Sequence, residues 1–187
     1  NDAASEAVLT IDFEVSREAV EVALNAAGER QLRVIADGSF GQEVRPEDLA
    51  RIYALAPNMM EAGVIAEMEM ESDADAERAA RKLHEYGVDA VWVKLSDGGC
   101  LLATDQGTTQ IAAPSVEVID KTGAGDAFTA AAAIAILEGR TPKEAAIFGV
   151  AASSLAVTTK GSQEAYPDRQ EFDVMVERVL KHGDNNR

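Results

Sequence analysis

Residues 120–126 read D-K-T-G-A-G-D and run straight into A-F-T-A-A-A-A-I-A-I-L, a stretch with the composition of a helix. Glycine is poor in helix interiors, so two of them at a helix entrance point to a backbone that needs freedom or clearance. A strand ending near Ile119, a tight loop, and a helix beginning at about Ala124 would put the N–H groups of Gly123, Ala124, Gly125 and Asp126 at the positive end of a helix dipole. Such an end holds an anion, and glycines let the backbone approach a phosphate oxygen. Asp126 is out of place there unless it also faces a group that must lose a proton. Phosphoryl transfer to an alcohol has that need: a carboxylate takes the hydroxyl proton while fixed dipoles stabilise the transferred oxygens. A plain helix start also accommodates these residues, because a first-turn acid complements the dipole and G-x-G occurs in ordinary turns.

Composition bounds what else is possible. The chain has 187 residues and a formal net charge of −16. That charge repels nucleic-acid phosphates, so a nucleic-acid partner is not expected, and a bound phosphate must be held by local donors or a bridging divalent cation. Cys100 is the single cysteine, has no disulfide partner in the chain and, between apolar neighbours, is expected to be a buried, inert thiol; with His84 and His182 as the two imidazoles, a transition-metal centre is not expected. There is no long apolar run and no signal-like N-terminus, so neither a membrane span nor export is expected and a reducing cytoplasm fits. The length suits one domain over residues 1–182, with 183–187 as a polar tail.

The elements that must position these residues alternate. V-L-T-I-D-F (8–13) precedes a helix capped by Ser16 and running to about Gly28; L-R-V-I-A-D (32–37) precedes a helix opened by Pro46; I-Y-A-L-A-P (52–57) leads into a segment around Met59–Met70. Ser72 or Asp73 caps the next helix, closed by Gly87, and D-A-V-W-V-K-L (89–95) reads as a strand buried on both faces. Such alternation predicts a parallel sheet with helices on both sides. Asp97-Gly98-Gly99 and Asp105-Gln106-Gly107 then predict antiparallel hairpins, and the remainder reads as helices over 124–139, from Thr141-Pro142-Lys143-Glu144, and from Pro167-Asp168. Trp92 is expected to pack in its strand, His84 to be solvated on a charged helix, and Met59, Met60, Met68 and Met70 to be filler.

D-K-T-G-A-G-D-A-F resembles the C-terminal signature of the ribokinase-like (PfkB) carbohydrate kinases, with Lys121 where threonine is usual. A-P-N-M-M-E-A resembles the N-x-x-E motif of that family, V-K-L-S-D-G-G its strand-turn facing the nucleotide phosphates, and V-T-T-K-G-S-Q its loop beside the adenine and monovalent-cation sites. The resemblance covers nearly the whole chain. It implies a three-layer α/β/α fold with a mostly parallel sheet, antiparallel edge strands, and no N-terminal substrate and lid portion. By resemblance Asp126 is the catalytic base, and Gly123, Ala124 and Gly125 form the anion hole. Asn58 and Glu61, three apart on one helical face, organise water around Mg²⁺, with Glu61 the metal residue. Lys94, Ser96, Gly99, Lys160 and Gly161 face the nucleotide, and Asp120 with Thr122 holds a monovalent cation such as potassium.

Two substitutions depart from the family pattern: Ser96 replaces a common glycine, and Val150 replaces a polar residue near the adenine. The glycine-rich sugar-binding segments and the β-sheet lid have no counterpart in these residues, and the chain starts Asn1-Asp2 without a methionine, so an N-terminally incomplete chain is expected. The implied activity is ATP-dependent phosphoryl transfer to a sugar hydroxyl. The alternatives are a nucleoside kinase of the same superfamily and a non-catalytic nucleotide-binding fragment. The implied partners are a nucleotide and a small sugar, with a homodimer of the full-length protein compatible with the family.

Overall fold

The computed structural model of the protein describes residues 7–38 and 44–185. Six strands form one sheet in sequence order: β1 (Val8–Ile11), β2 (Arg33–Asp37), β3 (Ala54–Ala56), β4 (Ala90–Lys94), β5 (Cys100–Thr104) and β6 (Gly107–Ile111). The first four pair in parallel, with Thr10 opposite Ile35, Ile35 opposite Ala54, and Ala54 opposite Ala90. Their apolar runs are buried because helices separate consecutive strands; Ala54–Ala56 and Ala90–Val93, including Trp92, have essentially no exposed surface. The links from β4 to β5 and from β5 to β6 are too short for a crossover, so these neighbours run antiparallel, as the glycine-bearing turns predict. The fold class is therefore α/β with a mixed sheet.

By contacts the chain divides into two compact units, Asn1–Lys94 with Leu101–Thr109, and Leu95–Cys100 with Gln110–Arg187. The first holds the sheet, apart from the tips of its last two strands, and the helices α1 (Arg17–Arg30), α2 (Pro46–Leu49), α3 (Met59–Ala66) and α4 (Asp73–Glu85). Ser16 caps α1 through its side chain, which accepts from the Ala19 N–H at 3.3 Å. The helix does not stop at Gly28 as its glycine suggests. It runs two residues on to Arg30, because Gln31 takes the left-handed conformation at φ +56° and closes the helix with N–H bonds from Gln31 to Gly28 O and from Leu32 to Ala27 O. Glu67 ends α3 in the same way at φ +51°, four residues short of Met70. Gly63 of α3 lies against the returning chain, where an added Cβ would come within 2.5 Å of Met70 Cγ.

The second unit is helical: α5 (Ala124–Leu137), α6 (Pro142–Ala156) and α7 (Arg169–Asn185). Thr141 and Glu144 form the capping box read from the sequence, with the Thr141 N–H donating to Glu144 Oε2 at 2.9 Å and the Glu144 N–H to Thr141 Oγ1 at 3.3 Å. The small residues of α6 let α5 come close; a Cβ on Gly149 would sit 2.7 Å from the Phe128 ring. Phe148 meets Phe172 of α7 edge-on at 5.2 Å between centroids. Asp168 starts α7, accepting from the Glu171 N–H at 2.8 Å. This helix continues to Asn185, through the first three positions of the expected polar tail, and residues 186–187 lie outside the described residues. Among the described residues no helix is long and apolar enough to cross a membrane.

Three single-residue expectations meet their environments here. Cys100 is fully buried, and burial, assisted by Asp97, pushes its thiol far above the ordinary range, which makes it inert as expected. His84 is not simply solvated: its two ring nitrogens lie 2.7 Å from Val88 O and 3.0 Å from Asp105 Oδ1, which ties the end of α4 to the strand and turn beside it. The four methionines lie at the surface, where together with Gly63, Val64 and Glu67 they line an open pocket of about 650 Å³ on the first unit.

Candidate functional site

Parallel α/β sheets bind ligands at the carboxyl ends of their strands, where each chain leaves the sheet with its side chains unconstrained by the next residue of the ladder. In the first unit those ends carry Asp37 at the end of β2, Pro57-Asn58 after β3 and Lys94 at the end of β4. Asn58 pairs with Lys94 in an isolated parallel bridge, and the Lys94 N–H donates to Pro57 O at 2.8 Å, so the sheet geometry itself brings the two together. Asn58 is the N-cap of α3, as expected. Its side chain accepts from the Glu61 N–H at 2.9 Å, and Glu61 Oε2 accepts from the Asn58 N–H at 2.7 Å. The reciprocal box holds Glu61 in place although only 8% of the residue is exposed. Burial raises the Glu61 pKa; the Asn58 N–H and the charge of Lys94 oppose the rise, and Asp37 and Glu14 add to it.

Lys94 Nζ lies 3.2 and 3.1 Å from the two oxygens of Asp37, and the paired side chains are only 15% and 16% exposed. Asp37 was not singled out by sequence reasoning. The signal was A-D-G at a strand's carboxyl end: a Cβ on Gly38 would lie 2.6 Å from Pro57 Cα and 3.1 Å from Glu61 Oε2, so the glycine lets β2 leave the sheet beside the glutamate. Hard oxygen donors on Asp37 and Glu61 suit Mg²⁺, which keeps several waters and needs few protein ligands. The fit has that limited form, because among the described residues no three His, Cys, Asp or Glu side chains converge as a metal cage.

In the second unit α5 begins as the glycines imply. Gly123 is the N-cap at φ +78° and has no side chain with which to cap; the Ala124 N–H turns back to Lys121 O at 3.3 Å, and the N–H groups of Gly125 and Asp126 are left without a side-chain cap. The loop is crowded on its other side, where a Cβ on Gly123 would be 3.0 Å from Ser162 Cβ. Asp126 stands exposed in this first turn, and among the described residues no hydrogen bond or ion pair engages its carboxylate. Gly123, Ala124 and Gly125 are all partly accessible beside it.

Asp120 holds the loop in shape. One oxygen accepts from the Gly161 N–H at 3.0 Å; the other accepts from the Thr122 N–H at 3.0 Å and the Thr122 hydroxyl at 2.8 Å. The Gly161 N–H, then the two Thr122 donors, bring its pKa down to about 2, with Lys160 contributing its charge. Asp120 and Thr122 are thus brought together with Lys160 and Gly161, two segments that lie far apart in sequence. Gly161 adopts φ +92° there.

The strand-turn is less like a phosphate loop. Ser96 is exposed, but Gly99 is buried, its N–H donates to Asp97 Oδ1 at 3.0 Å, and a Cβ on it would meet Ile111 O at 2.6 Å. Gly99 therefore serves the close approach of two chain segments. Val150 is fully buried in α6.

Comparison with known proteins gives the chain a family and a set of relatives of the same fold. A family model described as pfkB family carbohydrate kinase matches residues 4–169. The ribokinase of Haemophilus influenzae is 31% identical over 163 residues, 87% of this chain and 53% of that protein. The solved structure of Arabidopsis thaliana ribokinase complexed with ribose and ATP is similar with a TM-score of 0.82 at 32% identity, covering 91% of this chain and 55% of that one. Phosphofructokinase-2 from Escherichia coli in complex with potassium shares the fold, with a TM-score of 0.76 at 22% identity over 92% of this chain and 56% of that one. The chain spans about half the length of these relatives.

Proposed function

The chain belongs to the pfkB family of carbohydrate kinases, and from that premise we propose that it carries the nucleotide-handling and proton-accepting part of an ATP-dependent sugar kinase. The observation that carries the reading is the entrance of α5: first-turn N–H groups with no side-chain cap, directly beside an exposed Asp126. Oriented donors of this kind stabilise the charge that spreads over the equatorial oxygens of a phosphoryl group in transfer. Asp126 takes the proton of the attacking primary hydroxyl as its oxygen bonds to phosphorus, and ADP leaves with the electrons of the broken bridge. Asn58 and Glu61 would hold the water around Mg²⁺, and the metal would supply positive charge to the nucleotide phosphates. Asp120 and Thr122 shape the loop before α5 and are the residues suited to a monovalent cation such as potassium. One relative, the Arabidopsis thaliana ribokinase, was solved in complex with ribose and ATP, and a sugar of that class is the acceptor proposed here.

Isothermal titration of the chain with a non-hydrolysable MgATP analogue tests the nucleotide part of this reading. Saturable binding that weakens when Mg²⁺ is omitted is expected. Heat indistinguishable from dilution, with and without Mg²⁺, would remove nucleotide handling from the account.

A further inference from the structure

The outer face of α3 turns apolar residues to water. Met60 and Val64 stand one turn apart on it and are 68% and 60% exposed, where a surface helix ordinarily places polar side chains. The returning chain adds to this face. Glu67 closes α3 in the left-handed conformation, and Gly63 lets the residues that follow pack against the helix: an added Cβ would lie 2.5 Å from Met70 Cγ and 2.9 Å from Met68 O. Met59, Met60, Val64, Met68 and Met70 thereby line one groove open to solvent. A contiguous apolar patch of this kind marks an interaction surface, whereas single exposed apolar residues do not. Methionine suits that use, because its unbranched thioether side chain adapts to what it packs against.

The rim selects the partner. Glu67, Glu69, Glu71 and Asp73 are exposed along the return segment and the start of α4, and no Lys or Arg occurs from Ile52 to Glu77. Among the described residues no ion pair engages any of these four carboxylates. A segment that docks here must bring apolar anchors together with positive charge. A second copy of the chain would bring another net charge of −16, and residues 1–6 and 39–43, N-D-A-A-S-E and S-F-G-Q-E, bring carboxylates and no Lys or Arg. The return segment lies outside every strand, so it offers no sheet edge for an extended peptide to join. A docking backbone must then satisfy its own hydrogen bonds, as a helix does.

We propose that this groove is the docking site for a basic amphipathic helix of a partner protein. Apolar side chains at helical spacing seat among the methionines and Val64, and Lys or Arg on the flanks of the helix meet Glu67, Glu69 and Glu71. The apolar floor holds the helix in place, and the acidic rim speeds its arrival and sets its orientation.

The test uses as probe a fluorescein-labelled synthetic helix of Leu, Lys and Ala, with Leu at spacings of three and four, titrated with the whole chain and followed by fluorescence anisotropy. Saturable binding is expected, and a probe with Glu in place of every Lys should not bind. Met60→Ser/Val64→Ser leaves the charge of the chain untouched and should weaken binding by about tenfold or more, the loss expected when anchoring contacts go. Glu67→Gln/Glu69→Gln should weaken it by about threefold, as rim charges do. Val22→Ser, at an exposed valine of α1, should leave it unchanged. Circular dichroism checks that each variant is folded, and the single variant Met60→Ser covers the case in which the double one is not. No binding by the parent overturns the proposal. So does unchanged affinity in the folded groove variants, which would leave only attraction between a basic peptide and an acidic chain. Sedimentation supplies the last arm: a dimer of the parent that Met60→Ser/Val64→Ser dissolves would make a second copy the occupant and overturn the basic helix.

Discussion

Glu61 shows how one residue can serve the fold and work against it. Its side chain completes a capping box with Asn58, yet it is buried and its pKa is raised by that burial. A carboxyl whose folded pKa lies above its ordinary 4.5 penalises the folded state at higher pH, and the penalty fades as pH falls through the raised value. Glu61→Gln keeps the capping acceptor and removes the charge. The variant should therefore melt at a higher temperature than the parent at neutral pH, with the gap closing toward pH 4.5, and should bind divalent metal more weakly. A gap independent of pH in calorimetric melts would place the effect in packing instead of charge. The Asn58–Glu61 spacing was legible in the sequence, since Asn and Glu three apart at a helix start have one obvious geometry. Asp37 was not, because its importance comes from Lys94, 57 positions away, and only strand register brings the two together.

At the scale of elements, local chemistry set most boundaries. Ser16, Ser72 and Thr141 cap their helices through their own side chains, as their positions announce, and Pro46 and Pro142 sit at the first helical position. The end read short, that of α1, is closed by a non-glycine in the left-handed region, Gln31, and Glu67 closes α3 in the same way. Nothing in those residue types signals a stop; the returning chain imposes it. The glycines divide in a similar way. Gly123 is required by its φ of +78°, whereas Gly149 is required by a neighbouring helix, since a methyl group there would lie 2.7 Å from the Phe128 ring. Gly149→Ala should destabilise the chain by about 1–3 kcal/mol, the usual cost of overpacking a core. Urea unfolding measures it, and an unchanged midpoint would mean that α5 and α6 can separate without cost.

The whole molecule joins a sheet-bearing unit to a helical one, and it covers about half of each relative it matches. Repeated strand–helix alternation announced the parallel part of the sheet, and the two Asp-Gly-bearing turns its antiparallel part, because both are dictated by short-range pattern. The Asp120 clip across to Gly161 could not be read in advance, because it depends on how residues 41 positions apart meet. The net charge of −16 makes local donors the means of holding phosphate, and the entrance of α5 supplies them beside a carboxylate. Whether that carboxylate accepts the proton is the central claim. The direct measurement is steady-state turnover of Asp126→Asn in the whole protein, alongside its affinity for the MgATP analogue. The account predicts a loss in kcat of about 10²–10⁴, the range for a general base, with analogue affinity essentially unchanged. Turnover equal to the parent's would contradict it, and the proton would have to leave by another group.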